Sequence, residues 1–473
     1  MVALSRRRFF SFMGAGAAGA LAVSPLQALL AKKALGQNPA ADPFGPLVPK
    51  LPANIDPRFS PVYSLKNAGA ILEVPADFEY CAFHVSGMRM SDGKPCPSDH
   101  DGMACFAGPR GTHILVQNHE LSPGEDDGSG FTGGTGLAKA YDRFDQSVPE
   151  GLGAGGTSTM IITDRGQVLR DYVSLAGTYR NCAGGPTPWN SWISCEENVS
   201  TPDNNSNSTV KHGYNFEVPA RAGLVTPVPL IEMGRFNHEA VAIDPATGYV
   251  YETEDRGDSC IYRFKPNTPG DLAKGGELEV LKLVDAPQDT RTGVLSLLNQ
   301  PLAVEWVSLN ANGVNIDPDE DTLRFDSQEL GGAIFARGEG AWYGNGKIYW
   351  VCTSGGDAGQ GQVWCYDDVT ETVTLFVEST DEVELDNPDN ITVAPADGSL
   401  YLFEDGGGDI FVVGVTPDGG LFKFAKNIAP GFEGSEFAGG CFSADGTKMF
   451  FNIQTPGITI MMYRKDGQPI TTV

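Results

Sequence analysis

The chain has 473 residues, of which 41% are hydrophobic and 20% charged, a balance typical of one large or two ordinary globular domains. Its 33 basic and 60 acidic residues give a net charge of −27, which disfavours nucleic acid and anionic membrane surfaces as partners. The 59 glycines and 32 prolines favour many short strands joined by tight turns.

The N-terminal segment 1–37 resembles a bacterial twin-arginine export signal. Arg6, Arg7 and Arg8 precede an Ala- and Gly-rich run that is too weakly apolar for a membrane span. We therefore expect the twin-arginine translocation machinery as a partner and a periplasmic or extracellular location, with an uncleaved anchor as the alternative. Without this segment, 28 basic and 60 acidic residues remain, a net charge of −32.

A Pro-rich leader, residues 38–60, is predicted to be an extended linker or cover, followed by a single domain over residues 61–473. Within this domain, apolar segments flank Gly-rich turns six times, and each unit is predicted to be a β-hairpin. A polar residue stands at each end of every hairpin. The pairs are Asp101 with Glu120, Cys182 with Glu197, Glu239 with Glu254, Glu339 with Thr353, Asp389 with Asp405, and Glu436 with Asn452.

The hairpin spacing predicts an all-β fold, a six-bladed β-propeller. The last two intervals, 50 and 47 residues, fit one blade of four strands each. The longer intervals must hold insertions, and 121–150 and 285–330 have loop or helical character and are expected to cover one face. The alternative is a β-sandwich, or two β-domains, whose turn residues happen to be acidic.

In a propeller, the polar pairs would converge on one mouth. The two ends of an antiparallel hairpin are neighbours, so the carboxylates would repel one another unless cations lie between them. The donors are mainly oxygen atoms, which suit calcium or ferric iron better than zinc. Asp389 and Asp405 offer such oxygens, and Glu120 follows Asn118 on one face of the first hairpin.

Cys182 is the thiol candidate for this mouth. It lies in a Gly- and Pro-rich loop, while Glu197 ends the returning strand. A thiolate beside carboxylates needs a nearby cation, although a buried free cysteine is the plain alternative. The nine cysteines form no Cys-x-x-Cys pair, and disulfides such as Cys352 with Cys365 are permitted by an oxidising compartment.

Arg337 precedes Glu339 by two residues, so both side chains can face the mouth from an extended segment. An arginine there could donate a pair of hydrogen bonds to a phosphoryl oxygen, or it could form a salt bridge to a neighbouring carboxylate. No Gly-x-Ser-x-Gly elbow, P-loop or dinucleotide fingerprint is present, which removes support for serine-nucleophile and nucleotide-fuelled chemistry.

Together these motifs resemble the PhoX-type alkaline phosphatase family, from about residue 55 to the C-terminus. The resemblance rests on the order of seven motifs: NHE (118–120), NCAGGPTPWNSWISCEE (181–197), HEAVAID with TED (238–255), RGEG (337–340), PDN (388–390), EDG (404–406) and FSADGTKMFFNIQTPG (442–457).

The resemblance implies a secreted metal-dependent phosphatase that hydrolyses small phosphate monoesters with Fe3+ and Ca2+ at the mouth, as a monomer. It implies that Cys182, Glu197, Glu254 and Glu339 hold iron and bridging ions, that Glu120 and Asp405 are calcium ligands, and that Arg337 binds phosphate. Asp389, in the PDN motif, is expected as a further metal ligand. Arg337, Cys182 and Glu339 would then be the catalytic set. The alternatives are a calcium-dependent propeller lactonase or esterase and a secreted binding propeller without activity.

Overall fold

The computed structural model describes residues 42–125, 131, 139–142 and 154–472. The predicted export signal and much of the 121–150 insertion therefore lie outside the described residues. Within the described part, nearly all regular structure is β-strand.

The strands, in chain order, are β1 (Leu47–Lys50), β2 (Asn54–Ile55), β3 (Leu72–Pro75), β4 (Phe78–Phe83), β5 (His100–Ala107), β6 (His113–His119), β7 (Gly155–Ile162), β8 (Val168–Thr178), β9 (Asn181–Pro186), β10 (Ser191–Glu196), β11 (Asn215–Pro219), β12 (His238–Ile243), β13 (Val250–Glu254), β14 (Tyr262–Pro266), β15 (Gly276–Leu283), β16 (Pro301–Ser308), β17 (Gly338–Gly344), β18 (Lys347–Cys352), β19 (Gln362–Asp367), β20 (Thr372–Glu378), β21 (Pro388–Val393), β22 (Leu400–Glu404), β23 (Phe411–Val415), β24 (Leu421–Asn427), β25 (Phe437–Phe442), β26 (Lys448–Ile453) and β27 (Ile458–Arg464).

The described helices are short. They are the α-helices α1 (Leu65–Ala68) and α2 (Leu323–Glu329) and the 3-10 helices Pro109–Gly111, Ile231–Met233, Leu272–Lys274 and Leu295–Leu297. Among the described residues, none of the helices has the length and apolar character needed to cross a membrane.

All six predicted hairpins form, as β5–β6, β9–β10, β12–β13, β17–β18, β21–β22 and β25–β26. Local turn chemistry explains their reversals. In the β12–β13 turn, the Asp244 carboxylate accepts hydrogen bonds from the Ala246 and Thr247 amides, and Gly248 takes a φ of 74°. A side-chain-capped turn that ends in a left-handed glycine reverses the chain at low cost.

The first strands of these hairpins form a closed ring. We call β5, β9, β12, β17, β21 and β25 the inner strands. Each inner strand packs against the next in this order, and β25 packs against β5. Strands that radiate outward from a central ring are the arrangement of a β-propeller, so the predicted all-β propeller fold is confirmed at that level.

The hydrogen bonding divides the strands into five sheets, which differs from the six separate sheets that we predicted. Four sheets are β5–β8, β9–β11, β21–β24 with β3 and β1, and β25–β27 with β4 and β2. The fifth has nine strands, because β16 pairs with both β15 and β20 and so joins two hairpin units. The segment 285–330, predicted to be loop or helix, thus contains a strand that bridges sheets.

Strands near the N-terminus complete two sheets that are otherwise built from the C-terminal half. β4 pairs antiparallel with β27, and β3 pairs with β24. Part of the Pro-rich leader also joins these sheets, since β1 pairs with β3 and β2 with β4. Apolar clusters fill the spaces between neighbouring sheets, for example around Phe78, Tyr401 and Phe424. The inner strands are therefore held between packed sheets.

Candidate metal centre

Each inner strand carries one extra residue relative to its partner strand, near its first residue. The register shifts by one in all six hairpins, between His100 and Met103, 181 and 184, His238 and Val241, Gly338 and Ala341, Pro388 and Asn390, and Ala438 and Cys441. Such a β-bulge turns a side chain out of the regular alternation of the strand. The repeated bulge gives the six strand starts a common geometry.

A repeated backbone hydrogen bond fixes which residues are equivalent. In each hairpin, the amide of the residue just after the second strand donates a hydrogen bond to the carbonyl of the residue just before the inner strand. The bonds run from Glu120 to Asp99 (3.0 Å), Glu197 to Arg180 (3.0 Å), Asp255 to Asn237 (3.2 Å), Thr353 to Arg337 (3.0 Å), Asp405 to Asn387 (2.9 Å) and Gln454 to Glu436 (3.2 Å).

These bonds define three sets of equivalent positions. We call the position of the residue that donates its amide, just after the second strand, the return position. We call the position of the residue whose carbonyl accepts the bond, just before the inner strand, the rim position. Two residues after each acceptor lies the bulge position, which is occupied by Asp101, Cys182, Glu239, Glu339, Asp389 and Ala438. Five of the six bulge positions therefore carry a carboxylate or a thiol, and these side chains meet at one end of the ring, which we call the mouth.

Three groups of metal-ligating side chains lie at the mouth, each with donor atoms within 4.8 Å of one another. They are Cys182 with Glu197 and Glu239, Glu239 with Glu339 and Asp389, and Asp101 with Glu120 and Glu436. Glu239 belongs to two groups and so links the thiol to the other carboxylates. The predicted ligands Cys182, Glu197, Glu339, Asp389 and Glu120 are thus brought together.

Neighbouring inner strands lie close enough together for their ligand side chains to meet. A Cβ atom on Gly102 would lie 2.5 Å from the Ala183 Cα of the next inner strand. A Cβ atom on Gly340 would lie 2.8 Å from the Asn390 Cα, again on the next inner strand. Glycine after the bulge residue lets the backbones approach so closely that the ligand side chains meet.

Cys182 lies at the start of strand β9 and not in the loop that the sequence predicted, and Asn118 supports this strand. Its Nδ2 donates to the carbonyls of Cys182 (3.0 Å) and Ala183 (2.6 Å), and its Oδ1 accepts from Trp192 Nε1 (2.9 Å) and Ser194 Oγ (2.8 Å). The amide is fully hydrogen-bonded and buried, so Asn118 positions the thiol rather than binding an ion.

The mouth is electrostatically unfavourable in the absence of cations. Burial and nearby carboxylates raise the pKa values of four carboxyl groups at the mouth well above their usual range. These groups are Glu239, Glu339, Asp101 and Glu436. Burial, chiefly, raises the pKa of Asp389 to about 6. Burial followed by the Glu239 carboxylate raises the pKa of the Cys182 thiol well above its usual value.

Two predicted ligands lie outside the three groups. Glu254 is fully buried inside its own sheet, where its Oε1 lies 3.7 Å from Arg324 and its Oε2 accepts from the Cys260 amide at 3.2 Å. The residue at the return position is Asp255, and a shift of one residue along a strand turns the side chain to the other face. Asp405 occupies its return position at the exposed edge of the mouth, outside the three groups.

Two arginines face the mouth from rim positions. Arg337 contacts Asp255 through Nε (2.8 Å) and Nη2 (3.0 Å), and its Nη2 also donates to Glu339 at 2.6 Å. Arg180 bridges Glu120 and Glu197, and 35% of its side chain remains exposed. Both residues have a left-handed φ, 51° and 41°, as do the rim residues Asp99 (44°) and Asn387 (47°), so this conformation belongs to the repeat of the fold.

Sequence reasoning missed Arg180, although it precedes Cys182 by two residues just as Arg337 precedes Glu339. It also left Asp101, Glu239 and Glu436 out of the ligand set, although their positions at hairpin ends were recognised. Beside Arg180 and Glu197 lies a cavity of about 420 Å³, lined also by Asn205, Asn237 and Arg256. The mouth therefore combines a carboxylate and thiol cluster with guanidinium groups and an adjacent cleft.

Comparisons with known proteins show a family and a fold. The family model for alkaline phosphatase PhoX matches residues 58–457. A structure of Pseudomonas fluorescens PhoX in complex with vanadate, a transition state analogue, aligns with a TM-score of 0.66 and 16% identity over 87% of this chain and 99% of that chain. At this identity, the alignment shows a shared fold.

Two other solved structures align with lower scores. A gluconolactonase from Xanthomonas campestris gives a TM-score of 0.40 and 12% identity, covering 90% of this chain and 98% of that chain. A calcium-binding regucalcin from Agrobacterium tumefaciens gives a TM-score of 0.39 and 11% identity, covering 79% of this chain and 94% of that chain. A search of curated protein sequences finds no match.

Proposed function

The chain belongs to the alkaline phosphatase PhoX family, and from this premise we propose that its mouth binds Fe3+ and Ca2+ and hydrolyses small phosphate monoesters. The observation that carries the proposal is the repeated bulge position, which brings one thiol and four carboxylates to one end of the ring. Metal-dependent phosphatase activity follows from the family, whereas the metal identities, the ligand set and the substrate class are inferred.

The residues at the mouth fit such cations. Asp101 is buried, and its Oδ1 has no hydrogen-bond partner. An unpartnered buried carboxylate oxygen is costly unless a cation lies beside it. Carboxylate oxygens are the preferred ligands of calcium and also suit ferric iron, and the raised pKa values mark groups that an added positive charge would ionise.

The donor types divide the mouth between the two metals. One group, formed by Cys182, Glu197 and Glu239, includes the one thiol at the mouth. We assign this group to iron because thiolates favour transition metals. Asp101, Glu120 and Glu436 offer only oxygen, and we assign them to calcium. Glu339 and Asp389 form the third group together with Glu239, and we assign them as further metal ligands. In this assignment Glu239 takes the role that the motif resemblance implied for Glu254.

The metal ions, when bound, would supply Lewis-acid charge that stabilises the phosphoryl oxygens and the attacking and leaving oxygens. The protein itself would orient the phosphate. Arg180 and Arg337 present guanidinium groups toward the mouth, each tied to two carboxylates that limit its motion. Such donors match the geometry of phosphate oxygens and offset the repulsion between a phosphate dianion and this acidic protein.

The cavity beside Arg180 is suited to the leaving group. Its lining is mostly asparagine and serine side chains with Arg256 at one side, so it offers polar contacts. We infer that it accepts polar alcohol portions of phosphate monoesters.

A direct test compares p-nitrophenyl phosphate with a lactone as substrates for the purified protein, together with elemental analysis after purification without chelators. We expect phosphatase activity, iron and calcium in the wild type, and loss of turnover in the Glu339→Ala variant with an unchanged circular dichroism spectrum. Wild-type turnover in Glu339→Ala would refute the assignment. Lactone hydrolysis with calcium alone would instead support the lactonase alternative.

We also propose six blades, because six inner strands close the ring and each has the same bulge. An experimental density map would show six radial units, with β16 as a link between two of them. Export through the twin-arginine pathway and a monomeric state remain proposals. Replacing Arg7 and Arg8 with lysine should retain the protein in the cytoplasm, and light scattering should give the mass of one chain.

A further inference from the structure

A second group of metal-ligating side chains lies away from the mouth, where the ring closes. It consists of His84, Cys96 and His100, whose donor atoms lie within 4.8 Å of one another. All three residues are buried, and neither histidine has any exposed surface. His84 follows β4, His100 begins β5, and Cys96 lies in the loop between them. The group thus joins β4 of one sheet to the inner strand β5 of the next.

The distances match a tetrahedral zinc site. Cys96 Sγ lies 3.5 Å from His84 Nε2 and 3.4 Å from His100 Nε2. Zinc bonds of about 2.3 Å to sulfur and about 2.0 Å to nitrogen place those ligand atoms about 3.5 Å apart at a tetrahedral angle. A thiol has a single proton and can donate it well to only one of two imidazoles, whereas one metal ion satisfies all three groups.

A nearby hydroxyl bears on the tautomer of His100. Thr459 Oγ1 donates a hydrogen bond to Gln117 Oε1 at 3.2 Å and lies 3.5 Å from His100 Nδ1. The hydroxyl oxygen can therefore accept the Nδ1 proton, and that tautomer places the lone pair of the ring on Nε2, the nitrogen that lies 3.4 Å from Cys96 Sγ.

The surroundings supply a fourth donor and an outer carboxylate. The Pro97 carbonyl oxygen lies 3.0 Å from His100 Nε2 and 3.5 Å from Cys96 Sγ. Asp171 Oδ2 lies 3.8 Å from His84 Nε2 and so places a negative charge beside the site. The neighbouring His119 is engaged elsewhere, since its nitrogens contact the Ser98 carbonyl (2.9 Å) and Ser158 Oγ (2.8 Å).

The local charges also favour a cation. Asp56 and Asp171 are buried and share one cation, Arg58, at 2.6 Å and 2.7 Å. These three side chains carry a net charge of −1. A zinc ion with one thiolate adds +1, so the buried region would be neutral with the metal and charged without it.

We propose that His84, Cys96 and His100 bind one Zn2+ ion, which fixes the closure of the propeller ring and takes no part in phosphate hydrolysis. The site is closed to solvent, and it offers two imidazoles, one thiol and the Pro97 carbonyl oxygen as donors. His100 and the mouth residue Asp101 are consecutive in β5, so the zinc ion would anchor the strand that carries Asp101 to the mouth.

The decisive experiment is X-ray diffraction from a crystal of the mature protein, expressed with zinc, at wavelengths on both sides of the zinc absorption edge. We expect an anomalous difference peak bounded by His84, Cys96 and His100. A peak confined to the mouth, or no peak at this site, would overturn the proposal whatever the phosphatase activity. This readout requires no variant and is independent of the metals at the mouth.

Zinc content provides a second test. In a Cys182→Ser background, which removes the mouth thiol, the added Cys96→Ala change should abolish the one zinc ion per chain. The matched control is Cys441→Ala, because Cys441 is equally buried but lies in an apolar cluster. Equal zinc content in the two variants would contradict the site. If Cys96→Ala does not fold, cobalt loading of the Cys182→Ser protein should still give a thiolate-to-cobalt absorption band.

Discussion

Arg180 and Arg337 occupy the same position in two different hairpins. The carbonyl of each accepts a hydrogen bond from the residue after the returning strand, from Glu197 and Thr353 respectively, at 3.0 Å in both cases. Both adopt a left-handed φ, and both precede a bulge residue at the mouth by two positions. The repeat of the fold therefore directs two guanidinium groups toward one acidic mouth from separate sides of the ring.

We predict that Arg337→Gln and Arg180→Gln each lower kcat/KM for a phosphate monoester about 10- to 100-fold, because hydrogen bonds to charged groups contribute about 1.5–3 kcal/mol. The loss should be larger for a substrate with a dianionic phosphoryl group than for a phosphate diester. Steady-state kinetics with both substrates provide the measurement.

Arg464→Gln is the matched control, since Arg464 pairs with Asp466 at the protein surface. It should leave kcat/KM unchanged. Metal content must be measured in all three variants, because the mouth arginines also contact carboxylates. If Arg180→Gln and Arg337→Gln retain their metals and full activity, the arginines do not bind phosphate.

The hairpin register predicts opposite results for Glu239 and Glu254. Glu239→Gln should lose iron and turnover, because it removes a carboxylate from two of the three ligand groups. Glu254→Gln should keep its metals, because that side chain faces Arg324 inside the sheet. Elemental analysis and turnover of both variants test the difference. Loss of iron from Glu254→Gln alone would show that the sequence-based ligand assignment was right.

The difference between Glu254 and Asp255 shows where the sequence was informative and where it was not. Alternating apolar residues and turn signals identified all six hairpins, because both are local properties. The facing pairs, however, depend on register. A bulge and the length of the turn set the register together, and one residue of error exchanges the two faces of a strand.

The strand β16 and the candidate ligand Glu436 were missed for a different reason. The residues of β16, PLAVEWVS, alternate as a strand does, but its partners β15 and β20 come from two separate hairpin units. Glu436 occupies a rim position, yet it reaches Asp101 and Glu120 of the neighbouring hairpin, which lies more than 300 residues away in the sequence. Contacts between distant parts of the chain decided both outcomes, and a single sequence does not reveal them.

Metal binding should release protons. Burial, together with Glu197 and Asp389, raises the pKa of Glu120 to about 8 despite the nearby Arg180, so this carboxyl is largely protonated near neutral pH in metal-free protein. Titrating metal-free protein with calcium at about pH 7 in weak buffer should release at least one proton per chain. Glu120→Gln should release fewer protons. Calcium binding without proton release would contradict the assignment of Glu120 as a ligand.

His212 should make stability depend on pH in the alkaline range. Its ring lies between Glu196 (2.6 Å) and Asp142 (3.1 Å), and although burial opposes the charge, these carboxylates raise its pKa to about 9. A raised folded-state pKa stabilises the protein fully below the unfolded value near 6.5, and this contribution is lost as the pH rises through about 9. The shift corresponds to a free energy of unfolding on the order of 3 kcal/mol. Urea unfolding should therefore show wild-type stability falling toward that of His212→Gln between about pH 6 and pH 10. A constant difference between the two proteins across that range would contradict a charged His212.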